Sequence, residues 1–325
     1  MNYNLEHYVF MNLKTMGHDV RFYGYRRKLG ALSNPIRMGV SRSSVLKSIA
    51  DSTLFSKMNS EIKEIASQFT PDLVLVMKGE FMRSDTVNWF NAEIGSQTAL
   101  WYPDDPRFFG SLVEHIAGNY DRVFTTSPRA VEMYKSIGVK NISVISFACE
   151  PTIHRTIDLS NNDKTRYGCD VCFIGTWTPK RARIISRLGV FRTKVYGPYW
   201  KRFFKGFATN DAIWGNESVK AYNAARIVLN IHEESDLLYK PNMRVFEAPG
   251  ARSFLLTDRP KGLEKFFSVG KELDCYDNSS ELVELVKYYL GDEKLRTELA
   301  TAGQKRAYSD HTYHTRITSL LDSLR

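Results

Sequence analysis

The feature that most constrains the fold is a repeated alternation of short apolar runs with helical patterns. The runs "DLVLVM", "QTALWY", "CDVCFIG" and "RIVLNI" are nearly all apolar, which is typical of strands buried on both faces of a parallel sheet. The segments between them carry apolar residues at helical spacing. Helices that connect parallel strands build a doubly wound sheet, so the sequence predicts an α/β protein.

One interruption of this alternation divides the chain. Residues 148–167, "ACEPTIHRTIDLSNNDKTRY", are polar and without a clear period, and we interpret them as a linker. A chain of 325 residues can hold two ordinary domains. We predict two Rossmann-like domains, over residues 1–150 and 151–310, that face each other across a cleft. A helix over residues 311–325 is expected to pack back toward the first domain.

The amino terminus departs from the usual pattern of such domains. A doubly wound domain normally begins with a buried strand, whereas this chain begins almost directly with the helical pattern "LEHYVFMNLKTMG", followed by a predicted strand over 18–25. Either the first strand is missing from the sequence, or the amino-terminal sheet is one strand short.

The positive net charge of the chain is compatible with several classes of binding partner and does not distinguish among them. The formal net charge of +9 suits an anionic ligand, nucleic acid or a membrane surface. Basic clusters lie at residues 23–28, 178–183 and 199–207. We interpret them mainly as solvated faces, but the aromatic residues interleaved in the third leave nucleic-acid or lipid contact open.

The sequence shows no pattern of a targeting signal and few cysteines, and we therefore expect a cytoplasmic protein. No stretch approaches the roughly 18 consecutive apolar residues of a membrane span, and the amino terminus lacks the pattern of a secretory signal. Four cysteines are too few for a disulfide scaffold. Cys169 and Cys172 form a Cys-x-x-Cys pair inside a predicted strand, without a second pair or a histidine nearby, so no metal site is predicted.

Ligands of open α/β sheets bind at the carboxyl ends of the strands, so residues just after each strand are site candidates. After "DVCFIG", a glycine allows a close turn, and Lys180 and Arg181 at a helix start could hold a phosphate. The alternative is a basic first turn that faces solvent. The candidates after the strands of the second domain are Gly175, Thr176, Lys180, Arg181, Tyr196, Asn230 and His232.

The stretch "NMRVFEAPG" predicts a short helix with a ligand-binding end. Asn242 is a favoured helix-capping residue, and the helix start together with the guanidinium of Arg244 could hold a diphosphate. Glu247 lies about one turn further on, where a carboxylate could accept hydrogen bonds from two adjacent sugar hydroxyls. The alternative is a surface ion pair between Arg244 and Glu247.

Longer stretches resemble a known family. "RIVLNIHEESDLLYKPNMRVFEAPGARSFLLTD", and less closely "CDVCFIGTWTPKRARII", "YGPYW", "MGHDVRFYGY" and "WYPDDP", resemble the CgeB-type (spore-maturation-protein-like) glycosyltransferases, which are related to the group 1 transferases. The resemblance implies a GT-B fold and transfer of a sugar from a nucleotide-diphosphate donor. It also implies a UDP-linked donor held mainly by the second domain, with neither metal nor cofactor.

Matching positions imply roles for individual residues. Glu247 would hold the donor ribose, Asn242 and Arg244 would lie at the diphosphate and the transferred sugar, and Arg181 would neutralise the leaving diphosphate. Group 1 transferases carry a second glutamate eight positions before the one that matches Glu247. Here that position is Tyr239, which leaves the stereochemical outcome open.

The first domain is expected to supply the acceptor side. "WYPDDPRFF" follows a predicted strand, so Asp104 or Asp105 could take the proton of an acceptor hydroxyl in an inverting enzyme or position the sugar in a retaining one. A turn or a helix cap is the alternative. Glu6 and His7, at the start of the first helix, are further candidates for the acceptor side.

The leading hypothesis from the sequence is a glycosyltransferase acting on a polysaccharide, a protein or a lipid-linked acceptor. Two alternatives stay open: glycosylation of a modified base in DNA, which the net charge permits, and a non-catalytic protein that binds nucleotide sugars. Peripheral membrane contact also stays open.

Overall fold

The computed structural model describes residues 5–25, 43, 45, 54–107, 109–204, 208–233 and 240–325. These form two compact units. The smaller unit runs from Leu13 to Ser146, and the larger contains the residues up to Asn12 and those from Phe147 to Ser323. Outside the described residues lie parts of several predicted features: most of 43–53 in a predicted helix, and residues 26–28, 205–207, Glu234 and Tyr239.

The smaller unit contains a four-stranded sheet in which all strands are parallel, in the order β1-β2-β3-β4. Its most buried strand is β2, whose residues from Ala99 to Tyr102 are shielded from solvent. The elements in chain order are α2 (Ser56–Phe69), β1 (Leu73–Met77), α3 (Ser84–Trp89), β2 (Gln97–Tyr102), α4 (Glu114–Ala117), β3 (Arg122–Thr125), α5 (Pro128–Ser136) and β4 (Ile142–Val144).

The predicted strand over residues 18–25 is wrong. After helix α1 (Leu5–Thr15), residues 18–24 form no regular structure. Phe22 is 47% exposed, and the hydroxyls of Tyr23 and Tyr25 donate to Glu61 and to the carbonyl of Met77. Side-chain contacts of these aromatics, and not strand pairing, therefore hold the segment.

The larger unit contains a six-stranded parallel sheet in the order β10-β9-β8-β5-β6-β7. Its elements are α6 (Asn161–Tyr167), β5 (Cys169–Ile174), α7 (Pro179–Ile185), β6 (Thr193–Tyr196), α8 (Trp200–Phe203), β7 (Ala208–Asn210), α9 (Asn216–Ala224), β8 (Ala225–Asn230), α10 (Arg244–Gly250), β9 (Leu255–Asp258), β10 (Asp274–Tyr276), α11 (Ser279–Gly291), α12 (Glu293–Asp310) and α13 (Tyr313–Asp322). The α/β class with parallel sheets, predicted from the strand patterns, is confirmed.

The predicted linker contains more order than its composition indicates. Its last part is helix α6, whose first turn is capped by the Ser160 hydroxyl, which accepts from the Asp163 amide. Near its start, the Cys149 amide donates to the His311 carbonyl at 2.8 Å, and the Tyr313 amide donates to the Cys149 carbonyl at 3.0 Å. These two backbone hydrogen bonds join Cys149, near the start of the larger unit's main segment, to the residues at the beginning of α13.

Helix α1 packs mostly on the larger unit, although the sequence placed it in the first domain. Tyr8 stacks on Tyr313 with ring centroids 5.1 Å apart, and the Asn12 amide donates to Glu150 at 2.6 Å. The residues of α1 up to Asn12 therefore share a core with the carboxy-terminal helix α13.

Candidate functional site

Two glycines let the ends of strands β5 and β6 approach closely. The Gly175 amide donates to the Tyr196 carbonyl at 2.8 Å. Gly197 has a φ of 149°, and a Cβ atom there would overlap the carbonyl of Gly175. The Gly175 carbonyl also accepts from Nε1 of Trp200 at 2.7 Å. Gly175 is therefore fixed at the carboxyl edge of the sheet.

The guanidinium of Arg244 lies against Gly175. A Cβ atom on Gly175 would stand 3.0 Å from Nη2 of Arg244 and 2.9 Å from Cζ of Phe173. Among the described residues, the guanidinium has no hydrogen-bond or ion-pair partner, although its charge lowers the pKa of Glu247. The fold thus places the cation of Arg244 next to the close turn after β5. The sequence indicated both segments as site candidates only because each of them follows a predicted strand.

Glu247 is a mostly buried carboxyl on the next turn of α10, with a side chain 16% exposed. Burial raises its pKa to about 7, against the opposing effects of the Arg244 charge and a hydrogen bond with Tyr222. The group is therefore divided between its neutral and ionised forms at neutral pH. An exposed ion pair with Arg244, the alternative interpretation from the sequence, does not fit this burial.

His154, which the sequence did not single out, borders Glu247. Its Nδ1 accepts from the Glu150 amide at 2.8 Å, so its proton is on Nε2, which lies 3.3 Å from the Tyr8 hydroxyl and 3.8 Å from Oε1 of Glu247. Burial lowers the pKa of His154 to about 3, so this histidine is neutral and forms no ion pair with Glu247. A lone histidine in a polar stretch gave no sequence signal of this contact.

Lys180 lies at the edge between β5 and β8. Its Nζ donates to the His232 carbonyl at 3.0 Å and lies 3.5 Å from Oδ2 of Asp258. The side chain is 26% exposed, so its charge reaches the surface beside the strand ends. The backbone carbonyl of Thr176 accepts a hydrogen bond from the side chain of Arg181.

Arg181 is 4% exposed and directs its donors at backbone carbonyls. Nε and Nη2 donate to the Ile231 carbonyl at 3.0 and 2.9 Å, and Nη1 donates to the Thr176 carbonyl at 3.0 Å. Glu233 lies 3.7 Å from Nη1. These contacts join the segment after β5 to the end of β8, while the expected role of Arg181 at a leaving diphosphate stays a prediction.

His232, Asn242 and Asn230 form a buried polar network with Asp258. His232, which is 0% exposed, lies 2.6 Å from Asp258 through Nδ1 and accepts from the Asn242 amide at Nε2 at 3.1 Å. The Asn242 side chain donates to Asn230 at 3.1 Å and accepts from the Arg244 amide at 3.1 Å. The predicted capping contact of Asn242 thus exists, but His232 and Asn230 hold neighbouring protein groups.

Tyr196 is also buried, at the end of β6. Its hydroxyl has no hydrogen-bond partner in the described part of the chain, and burial raises its pKa well above the ordinary value. Its predicted contact with the donor stays a prediction.

The two aspartates of the smaller unit have different surroundings. Asp105 is 1% exposed and accepts from the Thr125 hydroxyl at 2.7 Å and from the Tyr134 hydroxyl at 3.5 Å. Asp104 is 28% exposed and pairs with Nζ of Lys78 at 3.0 Å. Because only Asp104 reaches solvent to this extent, it is the better candidate for a group that meets an acceptor.

Glu6 and His7 are half-buried on α1, within the larger unit, and their predicted role on the acceptor side stays a prediction. In the described ranges, no cluster of three or more histidine, cysteine or acidic side chains is placed to hold a metal ion. The helices found there are also too short or too polar to cross a bilayer.

Part of the chain matches a known family. Residues 180–322 match the model of a family described as "Glycosyl transferase-like". No curated protein matches the sequence significantly.

Solved structures share the fold over most of their length. A UDP-forming α,α-trehalose-phosphate synthase from Burkholderia xenovorans has a TM-score of 0.64 at 10% identity, with 93% of this chain and 84% of that one covered. A glycosyltransferase from Rickettsia africae gives 0.62 at 10% identity, with 91% and 95% covered. Anabaena Alr3699/HepE, solved with UDP-glucose, gives 0.61 at 12% identity, with 94% and 97% covered.

The fold and the family match together define the class of the chain. It is a glycosyltransferase whose two units each have the Rossmann-like α/β fold with a parallel sheet that is found in GT-B enzymes. The predicted fold and enzyme class are therefore confirmed. The whole matched segment lies within the larger unit.

Proposed function

We propose that the protein transfers a sugar from a nucleotide-diphosphate donor, UDP-linked, and that the larger unit holds this donor. The observation that carries the proposal is the placement of the Arg244 guanidinium against Gly175, with Glu247 one turn further along α10. A cation at the edge of the sheet and a carboxyl beside it match the two polar parts of a nucleoside diphosphate, its phosphates and its ribose diol.

Arg244 is the proposed partner of the diphosphate, and we propose Lys180, which follows the same strand β5 as Gly175, as a second cation for it. Negative charge develops on the diphosphate as the bond to the sugar breaks, and a fixed positive charge stabilises that transition state without rearrangement. Arg181 assists by fixing the ends of β5 and β8 through the carbonyls of Thr176 and Ile231. We assign the charge of the leaving group to these side chains, without a metal ion.

Glu247 is the proposed partner of the ribose. An ionised carboxylate accepts hydrogen bonds from two adjacent hydroxyls, and a pKa of about 7 allows it to ionise when such donors arrive. The UDP and UDP-glucose complexes of Anabaena Alr3699/HepE support this class of donor.

On the acceptor side, we propose Asp104 as the group that orients or deprotonates an acceptor hydroxyl. It is the more exposed of the two candidate aspartates, and Lys78 holds its carboxylate. The acceptor is proposed to be a polysaccharide, a protein or a lipid-linked saccharide, within the CgeB-type branch that the sequence resembles and in the cytoplasm.

A donor panel tests the proposal. The protein is incubated with UDP-, GDP-, ADP- and dTDP-sugars, and release of the nucleoside diphosphate is followed, with and without candidate acceptors. We expect release from a UDP-sugar. Arg244→Ala should abolish most of that release, whereas Arg252→Ala, which removes an exposed arginine just after the same helix, should not. Tight UDP binding without release from any donor would instead support a non-catalytic binder, and salt-sensitive binding to duplex DNA would support the DNA-modifying alternative.

A further inference from the structure

Both ring nitrogens of the buried His232 form hydrogen bonds within the protein, one of them with Asp258. Neither nitrogen is therefore available to bind a ligand. The Asn242 amide donates to Nε2 at 3.1 Å, which requires a lone pair on Nε2. Nδ1, 2.6 Å from Oδ1 of Asp258, therefore carries the proton. The geometry thus specifies one neutral tautomer.

Asp258 is the group that selects this tautomer. Burial acts to raise its pKa, but hydrogen bonds from His232 and the charge of Lys180 outweigh that effect and lower it. An ionised carboxylate only accepts hydrogen bonds, so it accepts from Nδ1–H and leaves Nε2 free for the amide. The His232 amide also donates to both carboxylate oxygens, at 2.9 and 3.0 Å.

The network leads directly to the proposed donor residue. Asn242, held by His232 through its amide, uses its own side-chain oxygen to accept from the Arg244 amide at 3.1 Å. The Asn242 side chain is in turn held by Asn230, which also donates to Thr257. A backbone fixed at these two positions determines where the Arg244 guanidinium stands relative to Gly175.

We propose that His232 and Asp258 are positioning residues for donor binding: Asp258 selects the Nδ1–H tautomer of His232, whose Nε2 then fixes the segment that carries Arg244. The inference rests on the proposed function, since it concerns the same donor. It differs from the sequence-based expectation that His232 itself touches the donor.

Two substitutions at His232 separate the two contacts. In His232→Gln the side-chain oxygen can replace Nε2 as the acceptor for Asn242, whereas in His232→Asn the shorter amide can replace only the Nδ1 donor to Asp258. We expect His232→Asn to weaken UDP binding about tenfold or more, and His232→Gln to retain most of it. Equal UDP affinity in the two variants would overturn the proposal, whether both bind tightly or both weakly.

A measurement on the free protein keeps this test independent of the donor. Nitrogen chemical shifts of His232 should show a protonated Nδ1 in the wild type, and Asp258→Asn should shift the population toward the Nε2–H tautomer, with faster hydrogen exchange of the Asn242 amide. An unchanged tautomer and unchanged exchange in Asp258→Asn would overturn the positioning role. Absence of UDP binding by a wild type with the expected tautomer would count against the proposed function only.

Discussion

The guanidinium of Arg244 occupies the space that a side chain on Gly175 would need, since a Cβ atom there would lie 3.0 Å from Nη2. The turn after β5 and the start of α10 are therefore complementary: the first must lack a side chain for the second to present its cation. This complementarity makes Gly175 a sensitive probe of the proposed donor site.

Gly175→Ala should impair both the donor site and the fold. The new Cβ atom would also stand 2.9 Å from Phe173, and the flexible arginine can yield more easily than the buried ring. We expect a loss of stability of about 1–3 kcal/mol and a fall in UDP affinity of about tenfold, measured by thermal unfolding and calorimetry. Gly291→Ala is the control, since a Cβ atom there meets no atom within 4 Å; similar affinities in the two variants would contradict the prediction.

Glu247→Gln should stabilise the protein at alkaline pH. The pKa of Glu247 rises on folding from its ordinary 4.5 to about 7, so the folded state holds a proton that the unfolded state has lost. Stability contributed by this group is therefore highest at low pH, falls between pH 4.5 and 7, and levels off above. The full penalty is about 3 kcal/mol. Denaturation at pH 8.5 should favour the variant, and a gain of equal size at pH 4 would contradict the assignment.

Donor affinity should rise as Glu247 ionises. The carboxylate accepts from both ribose hydroxyls, whereas its protonated form has less capacity to accept. Because the pKa of Glu247 is about 7 in the free protein, UDP affinity should increase from pH 6 to pH 8. We expect a change of about tenfold, measured by calorimetry and flattened in Glu247→Gln. An identical pH profile in the variant would exclude Glu247 as the titrating group.

Arg181→Ala should destabilise the fold. The substitution leaves the buried carbonyl of Ile231 and the half-buried carbonyl of Thr176 without the donors that now satisfy them, which costs about 2–4 kcal/mol. Denaturant unfolding measures this loss, and Arg187→Ala, at an exposed position in the following turn, provides the control. Unchanged stability with reduced turnover would return Arg181 to the direct role at the diphosphate that the sequence indicated.

Substitution of the two aspartates of the smaller unit should affect different properties, stability for Asp105 and turnover for Asp104. Asp105→Ala removes a buried acceptor from Thr125 and Tyr134 and should cost about 2–3 kcal/mol. Asp104→Ala removes a partly exposed pair with Lys78 and should cost about 1 kcal/mol or less. Turnover should fall in Asp104→Ala if it meets the acceptor. Full turnover in that variant would remove it from the acceptor site.

The sequence was informative where a feature is local. The apolar runs of β2, β5 and β8 predicted buried parallel strands because their hydrophobicity depends on their own residues alone. Two short elements escaped detection: β7 has three residues and α6 has seven, too few to establish a period. The predicted strand over 18–25 failed because a segment forms a strand only where a partner strand accepts its hydrogen bonds.

Candidate site residues show the same division. Strand ends and a capping asparagine pointed to the segments around Gly175, His232 and Arg244. They could not distinguish Arg181 from Arg244, since both are basic residues at helix starts. Burial makes the distinction: Arg181 reaches the Ile231 carbonyl because β8 pairs with β5, whereas Arg244 lies against a glycine.

The sequence by itself determined the α/β class, the parallel strands and the segments at which a ligand could bind, because periodicity and turn chemistry act over a few neighbouring residues. Only the tertiary structure decided which side chains contact each other. The sheet order places β8 between β5 and β9, so His232 meets Asp258, and Glu247 becomes buried beside His154 with its pKa raised to about 7. Contacts of this kind join residues distant in the chain, and burial and charge in the folded protein set their chemistry.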